Sequence, residues 1–542
     1  MSDHHKDMSP VVDMTKRQAT GPARSSHPAY VDLLPPCNHA CPAGEDIQGW
    51  LSLAQAGKFR AAWEHLVRDN PLPAIHGRVC YHPCEGGCNR AALDSSVSIH
   101  AVERFLGDKA AAEGWPLPRD AAPSGKRVLV IGGGPSGLSA AYHLARLGHA
   151  VEIHEAGPLA GGMMHFGIPA YRLPREDLMR EIRRIEAMGV KIITNRKVTD
   201  VLAEQAAGQF DAVFVAIGAG VGKRVDIPAR DAARVLDAVS LLHHVGAGET
   251  PRLGRRVVVY GGGNTAMDAA RTAKRLGAEE TLIVYRRDRA HMPAHAFEAD
   301  EAIEEGIKIK WLTTIKQVIG PELTVEMMAL DANGKPQPTG QFETLGADAV
   351  VLALGQETES GFLRQVPGLV FAADGAVIVG PDMMTGHAGI FAGGDMVPGE
   401  QSVTIAVGQG KRAARHIDAW LRGAQYQPPA KHRVVGFADL HLPIYSDALP
   451  ARQPELAQAL REGFAEVVGG LSERQALHEA ARCLSCGNCY ECDNCFAACP
   501  EAAIIKLGPK RGYKVDLALC TGCAVCFEQC PCHAIDMVAE HI

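Results

Sequence analysis

From residue 89 to residue 482 the chain contains no cysteine. The middle of the molecule therefore cannot work through a redox-active disulfide or a thiolate nucleophile, because both need a cysteine side chain. No run of five or more Lys or Arg occurs and the formal net charge is -7, so a polyanion partner is not expected and nucleic acid is set aside. No apolar stretch approaches the ~20 residues that cross a bilayer as a helix, so no membrane span is expected. The opening stretch, "MSDHHKDMSPVVDMTKRQATGPARSS", lacks the apolar core of a secretory signal. The expected location is cytoplasmic, a reducing compartment where cysteines serve metals rather than disulfides.

What is present is concentrated. All 16 cysteines fall in two blocks, five between Cys37 and Cys88 and eleven between Cys483 and Cys532. The 542 residues allow three to four domains, and 46% apolar with 22% charged residues is ordinary for a globular protein. Residues 1–30 read as a polar, disordered tail. Residues 31–115 carry the first cysteine block among helical patterns such as "IQGWLSLAQAGKFRAAWEHLV". From 126 to 425, β-rich runs alternate with helical ones, which predicts parallel, doubly wound sheets of the α/β class. Residues 426–480 read as a linker with helices, Ser472 capping one of them. Residues 481–542 form an α+β ferredoxin-like unit.

Two stretches follow the strand, glycine loop, helix, strand plan. In "RVLVIGGGPSGLSAAYHLARLGHAVEIHEA" the glycines are Gly132, Gly134 and Gly137, and Glu155 ends the second strand. The glycines allow the tight turn, the close approach of a pyrophosphate and the helix–strand packing, while the carboxylate suits ribose hydroxyls. In "RRVVVYGGGNTAMDAARTAKRLGAEETLIVYRRDRAHMPA" the loop is Gly261, Gly263, Asn264, Thr265 and Ala266. Its second strand ends in Arg286 and Arg287 instead of an acid. Guanidiniums there suit a 2′-phosphate, which favours NADP over NAD. "GIFAGGDM" (389–396) resembles the late motif of two-dinucleotide flavoproteins, which implies that Asp395 meets the ribityl chain of FAD. It also implies that the helix beginning near Val403 points its N-terminus at the isoalloxazine. The flavin unit is then discontinuous (126–250 and 371–425) with the NAD(P) unit (251–370) inserted.

The C-terminal spacing is the most specific feature. Cys489, Cys492, Cys495 and Cys499-Pro500 follow the bacterial ferredoxin run, and Cys520, Cys523, Cys526 and Cys530-Pro531 repeat it. In such modules the fourth cysteine of each run serves the other 4Fe-4S cluster. One cluster then takes Cys489, Cys492, Cys495 and Cys530, and the other Cys520, Cys523, Cys526 and Cys499. Paired zinc sites are the competing reading.

"PPCNHACPAG", "HGRVCYHPCEGGCNR", "GIPAYRLP" and "VYRRDRAHMPA", together with the two loops, resemble the glutamate synthase small (beta) subunit family over about residues 31–425. The resemblance implies FAD held by Gly132, Gly134, Gly137, Glu155, Gly162, Arg172, Gly394, Asp395 and Thr404. It also implies NADPH and an N-terminal domain with two 4Fe-4S clusters. The family's C-L-x-C-G segment is missing ahead of Cys37, yet "ARCLSCG" stands at 481–487. Two counts stay open. In one, Cys483 and Cys486 fold back to complete a cluster with Cys37 and Cys88, while Cys41, Cys80, Cys84 and Glu103 hold a second, which makes four clusters with Cys532 left over. In the other, the N-terminal block holds one cluster and Cys483 and Cys486 are spare, which makes three.

The expected function is that of an NAD(P)H:ferredoxin-type oxidoreductase, an electron-transfer flavoprotein with no catalytic residue beyond its cofactors. Its expected partner is a redox protein or subunit, such as a 2-oxoacid:ferredoxin oxidoreductase, in a hetero-oligomer. The alternatives are the small subunit of glutamate synthase and a scaffold that only holds clusters. His291 and Glu298 are expected to be a helix-start histidine and a solvated glutamate, and Met163 and Met164 packing residues.

Overall fold

The computed structural model describes residues 24–222, 229–230, 234–442, 447–509 and 511–540. Residues 1–23, which hold most of the expected tail together with His4 and His5, lie outside the described residues. Two five-stranded parallel sheets form the middle. The first runs Ile390–Ala392, Ala212–Val215, Arg127–Ile131, Ala150–His154, Lys191–Ile193. The second runs Lys308–Lys310, Glu280–Val284, Arg256–Tyr260, Ala349–Leu352, Arg234–Asp237. Strands such as "VLVI" and "VVVY" are apolar on both faces because helices cover both sides. The first sheet takes an edge strand from sequence that lies beyond the second.

Three features differ from expectation. Arg234–Asp237 pairs with Ala349–Leu352, so the crossing from one sheet to the other lies ahead of residue 250. Ser26–Tyr30, expected as tail, is a strand paired antiparallel with Ile535–Ala539 in the register Tyr30↔Ile535. Between 450 and 471 the described residues hold one 3₁₀ turn, Gln458–Leu460, rather than α-helices. Pro450 and Pro454 remove amide donors and Gly469-Gly470 loosens the backbone, so this segment stays extended, bridging Glu455 to Val468. The helix that follows, Glu473–Ala481, does start on Ser472, whose hydroxyl accepts from Gln475 N–H in a capping box.

The N-terminal unit packs the helices Ile47–Gln55, Phe59–Leu66, Pro73–Val79 and Ile99–Glu113 around Trp50 and Trp63, both fully buried. Its core is continuous with that of the first sheet. The long helix Val403–Leu421 starts on Ser402, which accepts from Ile405 N–H, and packs along Pro135–Arg146. Its Lys411 ammonium is buried and donates to the carbonyls of Ala43 and Gly44 and to Asp69. One helix thus ties the first sheet to the Cys41 loop. No helix among the described residues is long and apolar enough to cross a membrane.

Candidate functional site

A cavity of about 410 Å³ opens between the two sheets. Gly132, Gly134, Glu155, Gly162 and Asp395 line it from the first unit, and Asn264, Thr265 and Asp268 from the second. The first loop tolerates no larger residue at Gly132 or Gly137. A Cβ on Gly132 (φ +105°) would sit 2.4 Å from the Ala216 carbonyl, and one on Gly137 2.0 Å from the Gly132 carbonyl. Glu155 accepts from Gly133 and Gly157 N–H, each at 2.7 Å, and so anchors the loop as well as facing the cavity. Ser136 Oγ is buried there without a partner, and burial pushes the Asp395 carboxyl up to about 6. Gly394 (φ +79°) lies against Ser136. A helix N-terminus over a glycine cradle, an orphaned hydroxyl and a buried acid form a donor set that fits a dinucleotide.

In the second loop, Gly261 takes φ +151° with its Cβ position 2.2 Å from the Ala353 carbonyl, while Gly263 faces open space and Ala266 is buried. The Asn264 amide is engaged: it donates to Tyr81 Oη at 2.7 Å and accepts from His295 N–H at 3.0 Å. Arg286 and Arg287 form no ion pair among the described residues, whereas Arg289 pairs with Asp300. Arg287 Nε is buried without a partner, which fits a phosphate arriving at this strand end.

Two expectations need correction, and a third residue has a further role. Arg172 lines the cavity, but its guanidinium bridges Asp268 (2.8 Å) and Glu298 (2.5 Å), so it ties the two units together through carboxylates. Glu298 is 1% exposed rather than solvated; its place on the inner face of Ala296–Glu304 puts it against Arg172. Thr404 is absent from the cavity lining; the second residue of its helix, it faces Cys80. Met163 lines the cavity, Met164 is fully buried and His291 is exposed on a 3₁₀ turn.

The cysteines gather in four groups, and none of the sixteen is in a disulfide. Cys41, Cys80 and Cys84 converge beside Glu103. Glu103 is buried and accepts from Asn70 Nδ2 at 2.7 Å; the same amide donates to Glu45, which the sequence reading passed over. Cys37 and Cys88 meet Cys483 and Cys486 around one apolar cavity. Arg482 fixes that meeting: fully buried, it donates to the carbonyls of Ala448, Ser95 and Ser96 and pairs with Glu479 and Asp94. Cys489, Cys492, Cys495 and Cys530 form the third group and Cys520, Cys523, Cys526 and Cys499 the fourth. Cys532 is buried 3.8 Å from Cys530.

Burial pushes Cys483 to about 12 and Cys486 to about 11, opposed by hydrogen bonds from Ser485 and Asn89 and helped to a smaller extent by the neighbouring thiols. Four thiols this close cannot all ionise unless a cation compensates them. A cationic metal centre does so, and a coordinated thiol is deprotonated outright. The donor sets therefore fit iron–sulfur clusters.

Comparison with known proteins agrees with the geometry. The family described as pyridine nucleotide-disulphide oxidoreductase matches residues 126–410. The domain described as dihydropyrimidine dehydrogenase domain II, 4Fe-4S cluster, matches residues 31–115. The NADP(+)-dependent formate dehydrogenase subunit beta of Moorella thermoacetica is 35% identical, over 83% of this chain and 70% of that one. The NADPH-Fe(3+) oxidoreductase subunit beta of Geobacter sulfurreducens is 34% identical, over 83% and 75%. The Escherichia coli glutamate synthase [NADPH] small chain is 34% identical, over 71% and 89%.

Proposed function

Because the chain belongs to the pyridine nucleotide-disulphide oxidoreductase family, we propose that it is the NADPH-oxidising electron-transfer subunit of a larger redox complex. It is an FAD-dependent NAD(P)H oxidoreductase carrying a 4Fe-4S domain. Despite the family's name, no cysteine stands between residues 89 and 482, so electrons leaving the flavin site cannot pass through a disulfide there. The observation that carries the proposal is contiguity. The helix Val403–Leu421 begins at the nucleotide cavity and its second residue Thr404 faces Cys80; Cys41 N–H bonds the Cys37 carbonyl at 3.1 Å, Cys486 and Cys489 stand three residues apart in the chain, and Cys526 of the last group interacts with Cys495 of the third.

When bound, FAD takes a hydride as an electron pair and releases electrons singly, and each cluster takes one electron at a time. The chain's part is binding, orientation and insulation. The glycine loops seat the pyrophosphates, Arg286 and Arg287 receive the 2′-phosphate, and the Arg172–Asp268–Glu298 network holds the two nucleotide units face to face. Leu51, Val97 and Ile99 wall off the Cys37 group from water. We assign Cys41, Cys80, Cys84 and Glu103 to one cluster, and Cys37, Cys88, Cys483 and Cys486 to a second. The C-terminal runs form a two-cluster ferredoxin module, and the total is four. Two relatives named as beta subunits support a hetero-oligomeric setting; a 2-oxoacid:ferredoxin oxidoreductase is one partner of suitable chemistry.

The test is anaerobic NADPH-dependent reduction of methyl viologen by the isolated chain, followed by affinity isolation of the native complex. Reduction by the chain alone and a co-purifying redox subunit are expected. A chain that binds NADPH yet reduces no one-electron acceptor would defeat the proposal.

A further inference from the structure

The two C-terminal cysteine runs are related by an internal repeat, and their backbone hydrogen bonds repeat with them. Glu491 N–H bonds Cys489 and Gly522 N–H bonds Cys520, each two residues past the first cysteine of its run. Ala503 N–H bonds Cys499 at 3.3 Å and Ala534 N–H bonds Cys530 at 3.2 Å, each four residues past the last. Since the fourth cysteines cross over, each group receives one bond of each kind.

Side-chain donors break this symmetry: in the first group Tyr490 bonds Cys492 and the Cys532 thiol lies 3.8 Å from Cys530, and the strand Ser26–Tyr30 adds a third. It arrives from the far end of the chain and pairs with Ile535–Ala539. Its last residue, Tyr30, places Oη 3.2 Å from Cys495 Sγ, the third cysteine of the first run. At the matching Cys526, no side-chain hydroxyl is bonded among the described residues; the same strand offers Pro28 to that group's cavity. Tyr30 is held in place by its ring, stacked on Tyr513 at 6.1 Å and 19°, and the Tyr513 hydroxyl is turned away to Asp493.

We propose that Tyr30 sets the first-run centre (Cys489, Cys492, Cys495, Cys530) at a higher reduction potential than its twin by donating its hydroxyl to Cys495 Sγ. The proposal rests on the reading that these cysteines hold clusters. Once the sulfur ligates iron it has no proton to give, so the tyrosine must be the donor. A hydrogen bond to a ligand sulfur stabilises the extra negative charge of the reduced state more than the oxidised state, which raises the potential. The N-terminal strand thereby adds to the bias that places the electron on the first-run centre, a role its sequence position does not suggest.

The experiment is an EPR-monitored redox titration of the full chain and of Tyr30→Phe, which keeps the ring and its stack. The expected result is that one C-terminal centre becomes harder to reduce by about tenfold in its reduced-to-oxidised ratio, about 59 mV for a one-electron couple, with iron content unchanged. The remaining centres and the Tyr513→Phe variant should titrate as in the unmodified chain. Tyr30→Leu, which also lacks the hydroxyl, should reproduce the shift. Unmoved potentials in Tyr30→Phe, or a shift in Tyr30→Leu alone, would overturn the proposal. An unmodified chain with no C-terminal cluster signal would instead overturn the cluster reading beneath it.

Discussion

Replacing Arg482 by alanine should detach the C-terminal thiols from the N-terminal unit. The Arg482 side chain is 1% exposed and Glu479 beneath it 0% exposed. Its guanidinium reaches Ser96 O at 3.0 Å, Ser95 O at 2.7 Å and Asp94 at 3.1 Å, all on the N-terminal unit. Removing one partner of a buried ion pair costs about 3–5 kcal/mol, because the other charge stays desolvated. Glu479 keeps the Ser98 and Ala451 N–H groups, which places the cost towards the lower part of that range. Domain stabilities are about 5–15 kcal/mol, so the change frees the 448–486 segment without unfolding the sheets. Four clusters correspond to about 16 iron atoms per chain, and Arg482→Ala should fall to about 12. Its first melting transition should drop by roughly 10 °C. The assays are iron determination on anaerobically purified protein and thermal melts by circular dichroism. Full iron content with an unshifted melt would refute the reasoning. Cys483→Ser, which leaves Arg482 intact, should lose the same iron with little change in the melt.

Gly137→Ala should abolish flavin binding, seen as loss of absorbance near the isoalloxazine bands, because its methyl would fall 2.0 Å from the Gly132 carbonyl. Arg286→Ala with Arg287→Ala should raise KM for NADPH by about tenfold or more, equivalent to at least about 1.4 kcal/mol, and leave KM for NADH unchanged in steady-state assays. Glu305 should shape the acid limb of stability. Burial works against its charge, but hydrogen bonds from Arg275 and Arg271 outweigh it and hold the carboxyl down to about 2 from an ordinary 4.5. A lowered folded value means the stabilisation is present above about pH 4.5 and is lost as pH falls towards 2. Glu305→Gln should therefore flatten that limb in melts of the cofactor-free protein.

The two parallel sheets and the glycine loops were legible because their signals are local. A turn that needs φ +105° at Gly132, or a Cβ-free approach at Gly137, announces itself in six residues. Cysteine spacing is equally local, and "ARCLSCG" at 481–487 carries the C-L-x-C-G pattern in plain view. The meeting of Cys483 with Cys37 could only be raised as one of two counts. The pairing of Ser26–Tyr30 with Ile535–Ala539 was not legible, since strand partners some 500 residues apart share no periodicity. The strand Arg234–Asp237 was misplaced because a parallel strand carries no mark of which sheet it joins. Glu298 and Thr404 failed for a related reason. Residue type gives chemistry, but the direction of a side chain on its helix is set by the unit packed against it. Glu298 turns to Arg172 and Thr404 to Cys80.

The most direct test of the central claim is an anaerobic titration of the purified full chain with NADPH, following flavin absorbance and iron EPR together. The expected uptake is about six electrons per chain, two at the flavin and one at each of four clusters, with EPR signals growing as the flavin band bleaches. Uptake that stops at two electrons, with the flavin bleached and the iron centres unchanged, would contradict it.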